Sequence, residues 1–227
     1  MSETVQRMFA QIAPRYDLAN DALSFGVHRS WRKRAVQLAE VKPGMSVLDC
    51  ATGTGDLALA FKRATQTGEV IGTDFCAEMI VPAPAKAARA GLDVRFEVAD
   101  VLQLPYPDQK FDRASISFGI RNVDDPKRCL QELARVTKKG GRVIVLEFGQ
   151  PDGLYGALYR FHSRFVMPLL GQLLTGNRQA YEYLPRTAAQ FPAGEKFVAL
   201  MKDAGCFTAT RAVPLWLGTA WVYLGDV

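Results

Sequence analysis

The stretch Leu48-Asp49-Cys50-Ala51-Thr52-Gly53-Thr54-Gly55-Asp56 places two glycines between two carboxylates. Gly53 and Gly55 let the backbone turn sharply and let a ligand come closer than a β-carbon permits. Asp74 follows 21 positions after Gly53, near the ~20 expected of an acid that binds ribose hydroxyls. A third acid, Asp100, precedes Val101. Gly53 to Ala58 also fits a dinucleotide pattern with Ala in third place, so the glycines alone decide nothing. Charge decides: Asp49 and Asp56 would repel a pyrophosphate that seeks helix-terminal amides, and would attract a cation. A cofactor with an ammonium and a sulfonium but no phosphate suits this turn, and S-adenosyl-L-methionine is such a cofactor. Asp100 would accept from its adenine amino group and the Val101 amide would read a ring nitrogen. The plain alternative for each acid is helix capping, and for Asp56 that alternative is preferred.

Two further residues have types suited to chemistry. Arg121 follows a strand, and a guanidinium stays protonated in proteins, so it would anchor an oxyanion or hold a water rather than act as a base. Its plain alternative is a surface arginine paired with Asp124 or Asp125, the better reading on the residues alone. His28 would titrate near neutral pH and so suit general-base work. Its alternative is a hydrogen-bonded structural histidine near Trp31.

These residues need a scaffold that brings loop ends together. From Met45 the chain alternates short apolar runs with amphipathic stretches, the pattern of an α/β fold with helices on both faces of a mostly parallel sheet. Strands are expected at Met45–Cys50, Glu69–Thr73, Val94–Val98, Arg113–Ser117 and Arg142–Phe148. Gly44, Gly68, Gly91 and Gly140-Gly141 punctuate them as left-handed breaks. Ahead of the sheet, Val5, Met8, Phe9 and Ile12 fall at helical spacing until Pro14, and Ser30–Glu40 reads as a second helix. Pro151 to Pro192 holds no strand-length run and reads as a helical insertion after the fifth strand. A helix from Glu195 to Ala204 and strands near Thr208–Val213 and Ala220–Leu224 complete seven strands. One domain is expected over 1–227: an N-terminal helical lid or substrate region (1–43), a cofactor-binding core (44–149), the insertion (150–193) and a C-terminal helix with a strand pair (194–227).

Composition narrows the classes. At 227 residues, 48% hydrophobic and 22% charged, the chain is globular, and disordered, collagen-like and coiled-coil classes are excluded. Cys50, Cys76, Cys129 and Cys206 form no Cys-x-x-Cys pair, and His28 and His162 are the two histidines. Neither a disulfide framework nor a metal centre is expected. The longest apolar candidate, Phe165 to Leu174, is too short to span a bilayer, and Glu3, Gln6 and Arg7 interrupt any signal peptide. A cytoplasmic protein is expected, one that stays in the cytosol or lies on the inner face of the membrane. A net charge of +5 without an aromatic-interleaved basic stripe argues against nucleic acid.

Blocks along nearly the whole chain resemble the ubiquinone/menaquinone biosynthesis C-methyltransferase family. They are Met8-Phe9-x-x-Ile12-Ala13-x-Arg15-Tyr16-Asp17-x-x-Asn20, Ser24-Phe25-Gly26-x-His28-Arg29-x-Trp31-Arg32, Leu104-Pro105-Tyr106-Pro107-Asp108, Ser117-Phe118-Gly119-Ile120-Arg121-Asn122-Val123, Leu146-Glu147-Phe148, Ala180-Tyr181-x-Tyr183-Leu184 and Phe191-Pro192. The resemblance implies a Rossmann-like class I methyltransferase that methylates a ring carbon of a prenylated quinol, a naphthoquinol or a benzoquinol. It implies cofactor contacts at Thr54, Asp74, Asp100, Val101 and Ser117, with Tyr16 on the cofactor side or in a lid, and places Arg121 and Asn122 beside the substrate ring. Asp49, Ala51, Gly53, Gly55, Phe75 and Met79 complete the expected cofactor set. Deprotonating a quinol hydroxyl would enrich the ortho carbon for attack on the sulfonium methyl, with orientation and phenolate stabilisation as the protein's share. Two departures stand out: Tyr223 between Gly218 and Gly225 where the family usually has His, and Pro82 and Pro84 within a usually continuous helix.

A prenyl tail would need apolar surface. Leu154, Leu158, Phe161, Phe165, Leu169 and Leu173 recur at near-helical spacing with Arg160 and Arg164 among them, which fits an apolar lid, a membrane-contacting face, plain core or a homodimer interface. The cluster Arg29, Arg32, Lys33 and Arg34 fits anionic headgroups or a solvated helix face. The competing functions are a dinucleotide-dependent oxidoreductase, a methyltransferase for another small molecule and a cofactor-binding regulator without turnover.

Overall fold

The computed structural model describes residues 3–227. In chain order come α1 (Glu3–Ile12), α2 (Tyr16–Ser24), α3 (Val27–Leu38), β1 (Val47–Cys50), α4 (Asp56–Thr65), β2 (Val70–Asp74), α5 (Ala77–Ile80), α6 (Ala83–Arg89), β3 (Arg95–Val98) and β4 (Phe111–Ser117). Then follow α7 (Pro126–Val136), β5 (Thr137–Phe148), α8 (Gly153–Phe161), α9 (Met167–Thr175), α10 (Arg178–Gln190), α11 (Glu195–Asp203), β6 (Ala209–Leu215) and β7 (Ala220–Asp226). The seven strands form one sheet in the order β3-β2-β1-β4-β5-β7-β6. The first five pair in parallel, and β7 runs antiparallel to both β5 and β6.

Side-chain alternation along the central strands builds a core on each face of the sheet. Leu48, Ile116, Val143 and Val145 face α7 and α11, meeting Leu133 and Phe197. Val47, Ile144 and Leu146 face the other way, meeting Trp31 of α3 and Phe61 of α4. Every residue of β1 is buried, as a parallel strand covered on both faces must be. This rigid centre fixes the loops at the carboxyl ends of β1, β2 and β4.

The N-terminal region holds one helix more than its sequence pattern announces. Pro14 ends the first helical run as expected, but the chain re-enters a helix at Tyr16. The second expected helix starts earlier, at Val27, and stops at Leu38. Pro82 and Pro84 do break the segment after β2 into α5 and α6, with Pro82 at the cap of the second piece, because a ring at either position removes a helical donor. Gly44, Gly91 and Gly140 are left-handed as expected, whereas Gly68 is small for another reason: a β-carbon there would stand 1.9 Å from the Met45 carbonyl oxygen. The insertion is built of helices, with α8 and α9 joined by a π-helical turn at His162–Val166.

Candidate functional site

Two cavities open at the carboxyl end of the sheet and share a wall. The smaller, about 80 Å³, lies over the ends of β1, β2, β3 and β4. The larger, about 340 Å³, lies between α2, α3, the insertion and the end of β5. Tyr16 and Phe118 line both. Phe118 directly follows β4 and holds φ +54°, and Ala51, directly after β1, holds φ +50°. Non-glycine residues persist in this region only where their surroundings fix them, and such positions cluster at functional sites. Gly119, next to Phe118, is packed tightly against the other turn: a β-carbon on it would stand 2.4 Å from the Ala51 β-carbon.

The smaller cavity gathers Tyr16, Ala51, Gly53, Asp74, Phe75, Met79, Asp100, Val101, Ser117 and Asn122, with Phe9 of α1 above them. Asp74 ties two loops together, accepting the Gly53 amide at Oδ2 and the Cys76 amide at Oδ1, both at 2.9 Å. Burial raises its pKa and these amides oppose the rise. Asp100 accepts the Leu102 amide at 2.9 Å through one oxygen. The walls of this cavity hold two carboxylates and no Lys, Arg or His. That lining suits a cation flanked by apolar surface and offers no partner for a pyrophosphate.

Three residues expected in this set lie outside the cavity walls, each for a visible reason. Asp49 is fully buried beneath the turn, accepting from Thr52 Oγ1 at 2.7 Å and Ser115 Oγ at 2.6 Å, and burial lifts its pKa to about 6. Thr54 turns its hydroxyl to Asp17 of α2, 2.6 Å away. Gly55 is the left-handed N-cap of α4, and a β-carbon there would sit 2.9 Å from the Phe96 ring. Asp56 does not cap α4. It pairs with Lys86 and, at 3.2 Å, with Arg32, so the charge argument rests on Asp74 and Asp100 rather than on the two acids flanking the turn.

The larger cavity is apolar, walled by residues such as Leu23, Val27, Phe148, Leu158, Met167 and Leu184. Four of its lining residues nonetheless carry a buried polar atom with no partner among the described residues: Trp31 Nε1, Arg121 Nε, His162 Nε2 and Tyr181 Oη. Such atoms are uncommon in native interiors and call for a ligand or a function. Tyr155, on the same wall, shares a hydrogen bond with Thr219 at 2.9 Å. Burial pushes the Tyr159 phenol up to about 12. His162 stands at the start of the π-helical turn, a local geometry frequent at functional sites, and burial lowers its pKa.

Arg121 lines this cavity, but neither Asp124 nor Asp125 is the acid it is bonded to here. Its Nη1 meets Glu147 Oε1 at 2.8 Å and also the Phe118 carbonyl, and the guanidinium lies over the Phe148 ring, 5.1 Å from its centre. Asp125 instead caps α7, accepting the Arg128 amide at 2.9 Å. Asn122, next along, borders the smaller cavity and accepts from Tyr183 of α10 at 3.1 Å. Consecutive residues thus reach the two cavities.

His28 also borders the larger cavity, yet both its nitrogens are engaged, with Asp21 and Arg32. Tyr223 borders neither cavity. It is buried in the core, accepts the Gly194 amide at 2.7 Å and packs on Phe197. Among the described residues no cluster of His, Cys, Asp and Glu fits a metal ion, and all four cysteines are free.

The apolar stripe of the insertion is not core. Leu154, Leu158, Phe161, Phe165, Leu169 and Leu173 are 58% to 79% exposed. Phe25 and Trp216, which line the larger cavity, are 82% and 58% exposed, so the cavity opens onto apolar surface. Of the basic cluster, Arg29 pairs with Asp21 and Arg32 with Asp56, leaving Lys33 and Arg34 exposed. No helix among the described residues is long and apolar enough to cross a membrane.

Comparison with known proteins agrees with this geometry. Residues 1–222 match the ubiE/COQ5 methyltransferase family. A protein of Bdellovibrio bacteriovorus named ubiquinone/menaquinone biosynthesis C-methyltransferase UbiE is 52% identical over 226 residues, covering 99% of this chain and 96% of the relative. A demethylmenaquinone methyltransferase of Thermus thermophilus is 48% identical over 220 residues, covering 96% and 99%. Among solved structures, a SAM-dependent methyltransferase of Thermotoga maritima superposes with a TM-score of 0.69 at 21% identity, covering 97% and 98%. One from Aquifex aeolicus gives 0.62 at 19% identity, covering 86% and 88%. These two support the seven-stranded Rossmann-like fold.

Proposed function

Because the chain belongs to the ubiE/COQ5 methyltransferase family, we propose that it transfers the methyl group of S-adenosyl-L-methionine to a ring carbon of a prenylated quinol of the demethylmenaquinol type. The observation that carries this reading is the wall shared by the two cavities, Tyr16 and Phe118. A donor on one side and an acceptor ring on the other would meet there, which is the arrangement an in-line group transfer needs.

When bound, the cofactor supplies an electrophilic methyl on a sulfonium. Asp74 and Asp100 would take its ribose and adenine ends, Phe75, Met79 and Val101 would flank the adenine, and Ala51, Gly53 and Ser117 would let its chain approach the strand ends. Thr54 acts at one remove, through Asp17. Asn122, held by Tyr183, and Arg121, held by Glu147, would orient the ring and its oxygen. We read α1 and α2 as a lid, since Phe9 of α1 and Tyr16 of α2 border the smaller cavity.

The prenyl tail would leave the larger cavity past Phe25, Leu158 and Trp216 and continue along the exposed stripe of α8 and α9. We place that stripe on the inner face of the cytoplasmic membrane, with Arg160 and Arg164 toward anionic headgroups. A homodimer interface is the competing use of the stripe, and sedimentation with and without lipid tells the two apart. The function itself is tested by incubating the enzyme and S-adenosyl-L-methionine with short-chain demethylmenaquinol and with the corresponding ubiquinone-pathway benzoquinol in parallel. Methylation of either ring supports it, and methylation of neither overturns it.

A further inference from the structure

Arg121 and Glu147 form an ion pair whose side chains are 2% and 1% exposed. Arg121 lines the larger cavity, while Glu147 stands behind it on β5. Glu147 Oε1 accepts both Arg121 Nη1, at 2.8 Å, and the Phe148 amide, at 2.9 Å. The two other atoms that matter, Arg121 Nε and Glu147 Oε2, have no protein partner among the described residues. A pair that served stability alone would gain by satisfying them, because a half-satisfied buried network is worse than an apolar one.

Resting on the quinol-methylation reading above, we propose that Glu147 is the proton acceptor for the ring hydroxyl and that Arg121 changes partner as the proton moves. Glu147 lines neither cavity, so the proton travels through Arg121: the ring O–H bond breaks and its proton passes to the guanidinium as Nη1 gives its own proton to Glu147 Oε1, 2.8 Å away. The electron pair left on oxygen spreads to the ortho carbon, and the guanidinium, released from a now neutral carboxyl, pairs with the phenolate. The ortho carbon bonds to the methyl as the C–S bond breaks with its pair going to sulfur. The ring C–H proton then leaves to solvent and the ring oxygen regains the proton held by Glu147, so one proton is released per turnover. One cation faces one anion before and after the proton exchange, and the carbonyl of the methylated ring faces the guanidinium until the ring C–H proton leaves.

The surroundings favour the proton-bearing acid. Burial raises the Glu147 pKa, with the Arg121 charge as the opposing influence. The other titratable groups that feel this pair are Tyr159 of α8, Tyr183 of α10 and Tyr223 of β7. All three phenols are shifted upward by burial, so they stay neutral where a carboxyl titrates. A raised acceptor beside a cation that stabilises the phenolate narrows the gap a proton must cross.

The test is the pH dependence of kcat at saturating substrate. The wild type should rise and level off as Glu147 ionises. Glu147→Gln should be about 10²–10⁴ lower at pH 7 and should rise with hydroxide without levelling, because only the substrate's own ionisation then supplies the phenolate. Glu147→Asp, which keeps the charge if the Gln variant folds poorly, should restore a plateau at reduced height. His162→Gln should keep the plateau whatever its rate. A readout without turnover is the absorbance of bound 1-naphthol at pH 7: the wild type should show the naphtholate with no proton released to buffer, and Glu147→Gln the neutral naphthol. A uniform fall at every pH in Glu147→Gln, or a neutral naphthol spectrum on the wild type, would overturn the proposal. Wild-type enzyme that transfers no methyl to either quinol would instead overturn the proposed function, whatever the naphthol spectrum shows.

Discussion

His28 Nε2 lies 2.7 Å from Asp21 Oδ1, and its other nitrogen accepts from the Arg32 guanidinium. The ring therefore carries its proton on Nε2, which ties α3 to Asp21 of α2, while its other nitrogen is taken by Arg32 one turn along α3 itself. Burial and the Arg32 charge lower its pKa, with Asp21 opposing them. His28→Gln should leave the shape of the pH–rate profile unchanged while removing about 1–2 kcal/mol of hydrogen bonding, a loss of several degrees in Tm. Because the folded pKa lies below the unfolded one, the wild-type contribution is full above about pH 6.5 and fades as pH falls. A vanished acid limb in the variant would return His28 to catalysis.

Asp49 offers the opposite sign. Its carboxyl is buried and its pKa raised from 3.8 to about 6, so the folded state holds the proton more tightly than the unfolded chain. The stability it lends is full below about pH 4 and is lost as pH rises through about 6. Asp49→Asn should gain on the wild type across that window, by about 3 kcal/mol in total, and stay level above it. Denaturant unfolding at pH 4, 6 and 8 checks this, and a difference that does not vary with pH would refute it.

The smaller cavity should discriminate between cofactors by charge. S-adenosylhomocysteine at 100 times its Kd should stabilise the fold by about 2.7 kcal/mol, while NAD should leave the unfolding midpoint where it was. Asp100→Ala, at an exposed position with one local hydrogen bond, should weaken the adenosyl ligand about tenfold with little change in stability. Stabilisation by NAD alone would point to an oxidoreductase.

The exposed stripe should matter to lipid and not to chemistry. Replacing Phe161, Phe165, Leu169 and Leu173 together by Ser should abolish flotation with anionic vesicles, since each buried apolar side chain contributes about 1.5–3 kcal/mol. Turnover of a short-chain quinol should persist. Wild-type flotation that is absent in both low and high salt would remove the membrane from the account.

The parts of the site that could be read in sequence are those set by local geometry. Gly53, Asp74, Asp100 and Ser117 come at or just beyond strand ends, and a parallel sheet carries such positions to one edge whatever else the chain does. The larger cavity was not legible in that way. Trp31, Tyr159, His162 and Tyr181 come from three distant stretches and acquire a common role only when the insertion packs against α2 and α3. Arg121 shows the same limit in one residue: sequence offered the nearby Asp124 and Asp125, while the fold supplied Glu147 through the pairing of β4 with β5. The helix at Tyr16–Ser24 escaped because a proline stop says where one helix ends and nothing of how soon the next begins. His162 carried one faint signal, as the histidine that the N-terminal blocks left unexplained.

The central claim is that methyl donor and quinol ring meet across Tyr16 and Phe118 with Arg121 at the ring oxygen. It is tested most directly by a single turnover of the wild type and of Arg121→Ala with methyl-labelled S-adenosyl-L-methionine and short-chain demethylmenaquinol, the label located by NMR. The wild type should place the label on a ring carbon, and Arg121→Ala should place none while binding S-adenosylhomocysteine nearly as tightly. Label on a quinol oxygen, or undiminished transfer by Arg121→Ala, would contradict the account.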